Sequence, residues 1–316
     1  MKRWQVALVI VTTSVLAPAG LVAWLVMVPG HTRAEIAAAI AVAVVWTAAL
    51  FLVNWWEFTS IHLRWLWALL IGVGVVLRLL SWGDWPVWRG LNWQLGLAAV
   101  LVAVGAWMLS IGLFGRRHDA FQAVALTFPL SGGRFLVTDG GDGKTAPATN
   151  YHYGFATHRS AGVDASMRFA TDIVEIGLLG GESKGFLPGR NDAYRIWERA
   201  VLAPMTGEVV HVVSDVADNM AFGPFRPYGV GNHVVLRDGD VYLVVGHLRG
   251  GSVECEVGQR VSAGEVIGRV GNSGWTERPH IHMQAMRAPD GDWWHGTPLA
   301  MTFRGRLLVR NDVLRA

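Results

Sequence analysis

The chain has 316 residues, 52% of them apolar, and a net charge of +3, which is too long for one small domain and suits two. Its pI near 9.3 comes mainly from arginine, and no basic run is dense enough to suggest a nucleic-acid partner. The single cysteine, Cys255, excludes an intrachain disulfide and a Cys-rich metal site.

The apolar excess lies at the front. Twelve of the 16 tryptophans precede residue 116, and no Asp, Glu, Lys or Arg occurs over 4–32, 36–56 or 90–115. Apolar runs of about 20 residues match the hydrocarbon core of a bilayer. They predict an all-α transmembrane bundle of four helices, near 5–28, 35–55, 62–82 and 92–114, within a region 1–117. The first is too long for a signal peptide, and further spans follow it, so it is read as retained. The third carries Arg64 and Arg78, whose side chains are expected to snorkel toward the headgroups. Trp55, Trp56, Trp82, Trp85, Trp88 and Trp93 cluster at the helix ends, as interfacial belts do. The helices show no intramembrane carboxylate and little polarity beyond His62, Thr and Ser. A membrane anchor, or a bundle that contacts an unidentified membrane partner, fits them better than a transport pathway.

Composition changes at Arg116, Arg117 and His118. Residues 118–149 read as a connector leading into β structure, Gly-rich from Ser131 (SGGRFLVTDGGDGKTAPAT). Alternation of apolar and polar residues then dominates, as in GEVVHVV from Gly207, NHVVL from Asn232, DVYLVVGHL from Asp240 and HIHMQAM from His280. Gly, Asn and Asp punctuate these runs. A mainly antiparallel β domain over 150–316 is expected, with one helix near 192–199 and Cys255 as an inert strand residue.

His280 and His282 stand two apart in that last run. Successive strand side chains alternate faces, so the two imidazoles share one. A hydrolytic zinc site wants three protein ligands of N and O type and one position open to water. His152, His158, His247, His280 and His282, with Asp172 as carboxylate, supply enough groups for a site and for proton carriers beside it. His211, His233 and His295 read as hydrogen-bonded structural residues. Gly268, Gly271 and Gly274 read as turn formers, and Trp275 either as an aromatic at a cleft rim or as packing.

The C-terminal half resembles the lysostaphin-like, LytM-type zinc metallopeptidases. The matching blocks run in order: NYH at 150–152, RFATDIV at 168–174, APMTGEVV from Ala203, GNHVVL from Gly231, GHLRGGSV from Gly246, VGQRVSAGEVIGRVGNSG from Val257, and the closing PHIH. The resemblance covers about 150–310 and is silent on the helices. It implies the lysostaphin/LytM β fold, one Zn2+ ion, and cleavage of peptide bonds in cell-wall peptidoglycan. It implies Asp172 and His282 as metal ligands and His247 and His280 as catalytic residues. The short His-x-x-x-Asp pattern is absent, because Arg168 stands four residues before Asp172. The longer-spaced version makes His152 the first ligand, with His158, paired to Asp164, as its competitor. Two rival readings are a non-catalytic cell-wall regulator and a membrane zinc peptidase acting on a protein substrate.

Charge and function pull apart over topology. Lys2 and Arg3 at one end and Arg116 and Arg117 at the other favour a cytoplasmic side for both, with Arg33, Arg78 and Arg89 in or near the opposite loops. An extracytoplasmic catalytic domain needs an outside N-terminus or a 62–82 segment that does not span; otherwise the substrate is not mature wall.

Overall fold

The computed structural model describes residues 3–27, 30–83, 85–117, 122–154, 166–224 and 229–316. His118, His158 and Asp164 lie outside the described residues. The chain divides into two compact units, Met1–Leu113 and Phe114–Ala316.

Among the described residues, the first unit holds four helices long and apolar enough to cross a membrane: α1 (Arg3–Met27), α2 (Arg33–Val53), α3 (Leu63–Leu80) and α4 (Trp93–Phe114). A π-helical turn interrupts α1 at Thr12–Leu16. Small residues let the helices approach closely: Gly74 packs on Leu25, Gly105 on Val45 and Trp46, and Gly112 on Leu52. Two sequence expectations change. Arg78 does not simply snorkel, for its guanidinium donates to the carbonyls of Trp24 and Leu25, acceptors that the end of α1 would otherwise leave open. Trp56 is no belt residue; it is 1% exposed and its indole donates to the Leu50 carbonyl at 3.0 Å. Two carboxylates lie at or beyond the ends of α2. Glu35 lies in the first turn of α2, where Thr32 caps the helix, and accepts from His31 N and Asn92 Nδ2, both at 2.6 Å. Glu57 is buried in the short turn after α2.

The second unit is built on an 11-stranded sheet. Its strands are β1 (Ala123–Leu126), β2 (Arg134–Asp139), β3 (Thr171–Glu175), β5 (Gly207–Val213), β6 (Asn232–Asp238), β7 (Val241–Leu248), β8 (Arg260–Val261), β10 (Ile281–Arg287), β11 (Thr297–Phe303), β12 (Arg306–Leu307) and β13 (Val313–Arg315). β4 (Ala200–Leu202) and β9 (Val266–Arg269) form a separate pair. The main order is β13-β2-β3-β10-β7-β6-β5-β8, antiparallel throughout. β11 joins the far end of β10, and β1 pairs with β11 in parallel. Strands β1 and β2 thus arise inside the stretch read as a connector. The helix expected near 192–199 is reduced to a 3-10 turn at Asn191–Ala193, while a one-turn helix, α5, forms at Tyr151–Gly154. Gly268 lies within β9 rather than in a turn. Cys255 is buried but outside any strand; burial, with Glu265 and Glu254 adding to it, pushes its thiol up to about 11.

β10 shows how the pattern sorts the faces. Ile281, Met283 and Ala285 enter the main core with Ile173, Val234, Leu243 and Val245. Their neighbours His282, Gln284 and Met286 take the opposite face. His282 pairs directly with Asp172 on β3 and with Gly246 on β7, so register alone sets an imidazole beside a carboxylate and next to a position without a side chain.

Candidate metal centre

Asp172 is the hub. Its Oδ1 lies 2.9 Å from His282 Nδ1, and its Oδ2 lies 3.3 Å from His152 Nε2 and 3.2 Å from His280 Nε2. Among the described residues, His152, Asp172 and His282 can each offer one ligand atom, all within 4.8 Å of one another. Two imidazole nitrogens and a carboxylate oxygen are the donor set of a hydrolytic zinc site, and these residues therefore fit such an ion.

His152 arrives on α5. Asp139 of β2 accepts from Tyr151 N at 3.1 Å and anchors that turn; it also takes a 3.0 Å bond from buried Arg310. Asn150, fully buried, accepts from His152 N at 3.1 Å and lies 2.9 Å from His152 Nδ1. Gln284 does the corresponding service for His282, with Oε1 3.1 Å from its Nε2.

His247 needs a backbone device. Its neighbour Val245 points into the main core, and plain alternation would send His247 the same way. Instead His247 adopts φ +59°, a left-handed conformation rare for a residue with a side chain. Its ring turns back toward the site, with centroids 4.7 Å from His280 and 5.5 Å from His282. Nδ1 is held 2.8 Å from the Ser273 carbonyl. His280 is held likewise, with Nδ1 2.8 Å from the Arg278 carbonyl and 3.2 Å from Thr276 Oγ1.

The charges follow from burial and proximity. Burial opposes ionisation of Asp172, but His152 and His280 outweigh it and hold the carboxyl well below the ordinary carboxylate range. Burial also opposes protonation of His152; the charge and hydrogen bond of Asp172 win and raise it to about 9. His247 goes the other way, since burial, with His280 and His282 beside it, keeps its imidazole neutral.

The five residues singled out from sequence, His152, Asp172, His247, His280 and His282, thus meet in one place. His211, His233 and His295 do not join them: His233 bonds the Gly231 carbonyl at 2.7 Å and stacks on His211, and His295 pairs with Asp292. Gly274, at φ +83° and against the backbone of Gly231, is a turn former as expected. Trp275 is 43% exposed. Sequence reading missed the supporting roles of Asn150, Gln284, Ser273 and Thr276. One signal was available: each of the two amides stands two residues from a ligand histidine.

Residues 195–295, which carry part of this His/Asp cluster on the antiparallel sheet, match the model of Peptidase family M23. His247, His280 and His282 fall inside that match; His152 and Asp172 precede it. The C-terminal domain resembles those of lysostaphin and other M23 peptidases. The solution structure of lysostaphin is similar at 23% identity and a TM-score of 0.24, over 37% of this chain and 36% of that one. Lysostaphin from Staphylococcus simulans is 28% identical over 29% of this chain and 33% of that one, with a TM-score of 0.23. A zinc containing peptidase from Vibrio cholerae is 18% identical over 59% of this chain and 39% of that one, with a TM-score of 0.31. The chain thus spans about a third of the length of the lysostaphin structures. No curated protein matches it.

Proposed function

We propose that the chain is a membrane-anchored, zinc-dependent endopeptidase that cleaves peptide bonds in cell-wall peptidoglycan. The observation that carries this reading is the convergence of His152, Asp172 and His282 within 4.8 Å, with His247 and His280 beside them. Those three residues would hold the ion. Zinc in such a site lowers the pKa of a bound water toward neutrality and polarises the scissile carbonyl.

The flanking histidines divide the proton chemistry. A carbonyl only accepts, so His247 carries its hydrogen on Nδ1, toward Ser273, and being neutral presents a lone pair at Nε2. It is the proton acceptor. His280 donates from Nδ1 to the Arg278 carbonyl and turns its Nε2 toward Asp172. Its proposed role is to stabilise the oxyanion that forms on the scissile carbonyl. The family match and the four apolar helices support a peptidase domain held at a lipid bilayer; the substrate class rests on the likeness to cell-wall peptidases.

Asp172→Ala is expected to remove stoichiometric zinc from the purified chain. It should also lower muropeptide cleavage by more than about 100-fold, since loss of a mere supporting residue already costs ~10–100-fold. Cleavage at the wild-type rate would overturn the assignment. Wild-type protein that carries no zinc would favour the non-catalytic regulator instead, and cleavage of peptides but not muropeptides would favour a protein substrate.

A further inference from the structure

We propose that His211 and His233 form a second metal site, in which two imidazoles on neighbouring strands clamp a divalent d-block cation of the zinc class. The site is separate from the cluster around Asp172 and does not depend on how that cluster is read.

The chain brings the two rings to one face by different means. On β6, Val234 and Leu236 enter the main core and Val235 joins the smaller cluster on the other side, so alternation turns His233 away from the main core. On β5, Val209 enters the main core, and plain alternation would carry His211 inward with it. A bulge prevents this. Val209 pairs with Leu236 and His211 with Val235, which leaves Val210 over. The extra residue resets the alternation: Val212 packs on the main core, and His211 lies outward against His233. The two ring centroids are 5.2 Å apart and the planes 26° from parallel. Trp293 stands 5.8 Å from His211 and 6.4 Å from His233, and Trp294 stands 6.3 Å from His233.

His233 carries the signal that this cluster is more than packing. The residue is 6% exposed. Its Nδ1 donates to the Gly231 carbonyl at 2.7 Å, so Nε2 holds a lone pair. That nitrogen is buried and, among the described residues, has no hydrogen-bond partner, and a buried acceptor left open calls for a ligand. Burial keeps the ring neutral down to about pH 4, so the lone pair is available at neutral pH. His211 is exposed; its ring can turn toward an ion and gives that ion a way in. Two imidazoles on one tetrahedral ion, each bound at about 2 Å, have centroids roughly 5 Å apart, which is the separation seen. Imidazole donors suit zinc, nickel or copper, whereas magnesium and calcium take oxygen. His282 lies on the same face two strands away, roughly 10 Å across the sheet. That is well beyond the ~4 Å at which two metals share a site.

The test uses the full chain, untagged, in lipid nanodiscs, with bound zinc counted by equilibrium dialysis. With two protein ligands rather than three, the second site holds its ion more weakly, so zinc is added in the dialysis rather than carried through purification. The wild type is expected to bind two zinc ions and Asp172→Ala one. His211→Ala and His233→Gln are expected to bind one each and still cleave muropeptides. The second ion should raise the melting temperature of the wild type and leave that of His211→Ala unchanged. Because His211 is exposed, its truncation tests the site without disturbing the core. A wild type that binds a single ion, or a His211→Ala protein that binds as many as the wild type, overturns the inference and leaves the Asp172 centre standing. Two ions in Asp172→Ala, with one lost in His211→Ala, would uphold the second site and overturn the reading of the Asp172 cluster.

Discussion

His233 shows how one buried side chain writes a pH dependence into the domain. Burial lowers its pKa to about 4; the Gly231 carbonyl opposes this in part, and neighbouring His211 adds to the lowering. An unfolded chain takes up this proton near pH 6.5, whereas the folded one refuses it until about pH 4. Stability is therefore full above about 6.5 and falls as pH drops toward 4, by on the order of 3 kcal/mol. Thermal unfolding of the full chain in detergent at pH 7.5 and 4.5 should show this fall, and His233→Gln should remove most of it. An unchanged pH dependence in the variant would assign the effect to another group. At this scale the sequence disclosed the ligand types but not their support. His280 and His282 were legible because a strand repeats every two residues, and Asp172 because it lies in the RFATDIV run at 168–174 that carries the family resemblance. The left-handed turn at His247 was not legible, since nothing local demands it: Val230 accepts from His247 N, and Ser273 holds the ring from a separate loop.

Among the elements, β10 and the loop before it carry most of the site, and a buried ion pair braces that loop. Arg278 Nε donates to both carboxylate oxygens of Glu182, at 2.8 and 3.0 Å. Glu182 is 1% exposed, and burial raises its pKa even though Arg278 opposes the shift. Removing one partner strands the other charge, so Arg278→Met should cost about 3–5 kcal/mol, while Glu182→Leu with Arg278→Met should restore much of it. A double-mutant cycle on melting temperature checks this; equal losses in the single and double variants would deny the coupling. Because the carbonyl of Arg278 holds His280, the single variant should also lower turnover. The alternating runs behind β5, β6, β7 and β10 were readable as strands for the same reason that their faces sort, with one side meeting the core. β1, β2 and the one-turn helix at His152 were not, because they are short and depend on partners far along the chain, Met301 for Val124 and Val313 for Leu136.

For the whole molecule, membrane sidedness is the open consequence of having four candidate spans. An even number leaves both ends of the helical region on one side, so an extracytoplasmic domain requires the N-terminus outside, against the pull of Lys2, Arg3, Arg116 and Arg117. A reporter fused after Ala316 should be active only if it is of the extracytoplasmic kind; activity of a cytoplasmic reporter alone would remove mature cell wall as the substrate. The meeting of His282 with Asp172 also bears on how the domain folds. The two are 110 residues apart in sequence, and β5, β6, β7 and β8 lie between them. Closing so long a loop costs roughly 4 kcal/mol of chain entropy, far more than a nascent pair of side chains recovers, so the donor set cannot assemble ahead of the β3–β10 pairing. Zinc should then act as a late clamp rather than a nucleus. It is expected to slow unfolding while leaving the refolding rate unchanged, in stopped-flow traces with and without chelator. Refolding that quickened with added zinc would mean that the three ligands find one another before the sheet does.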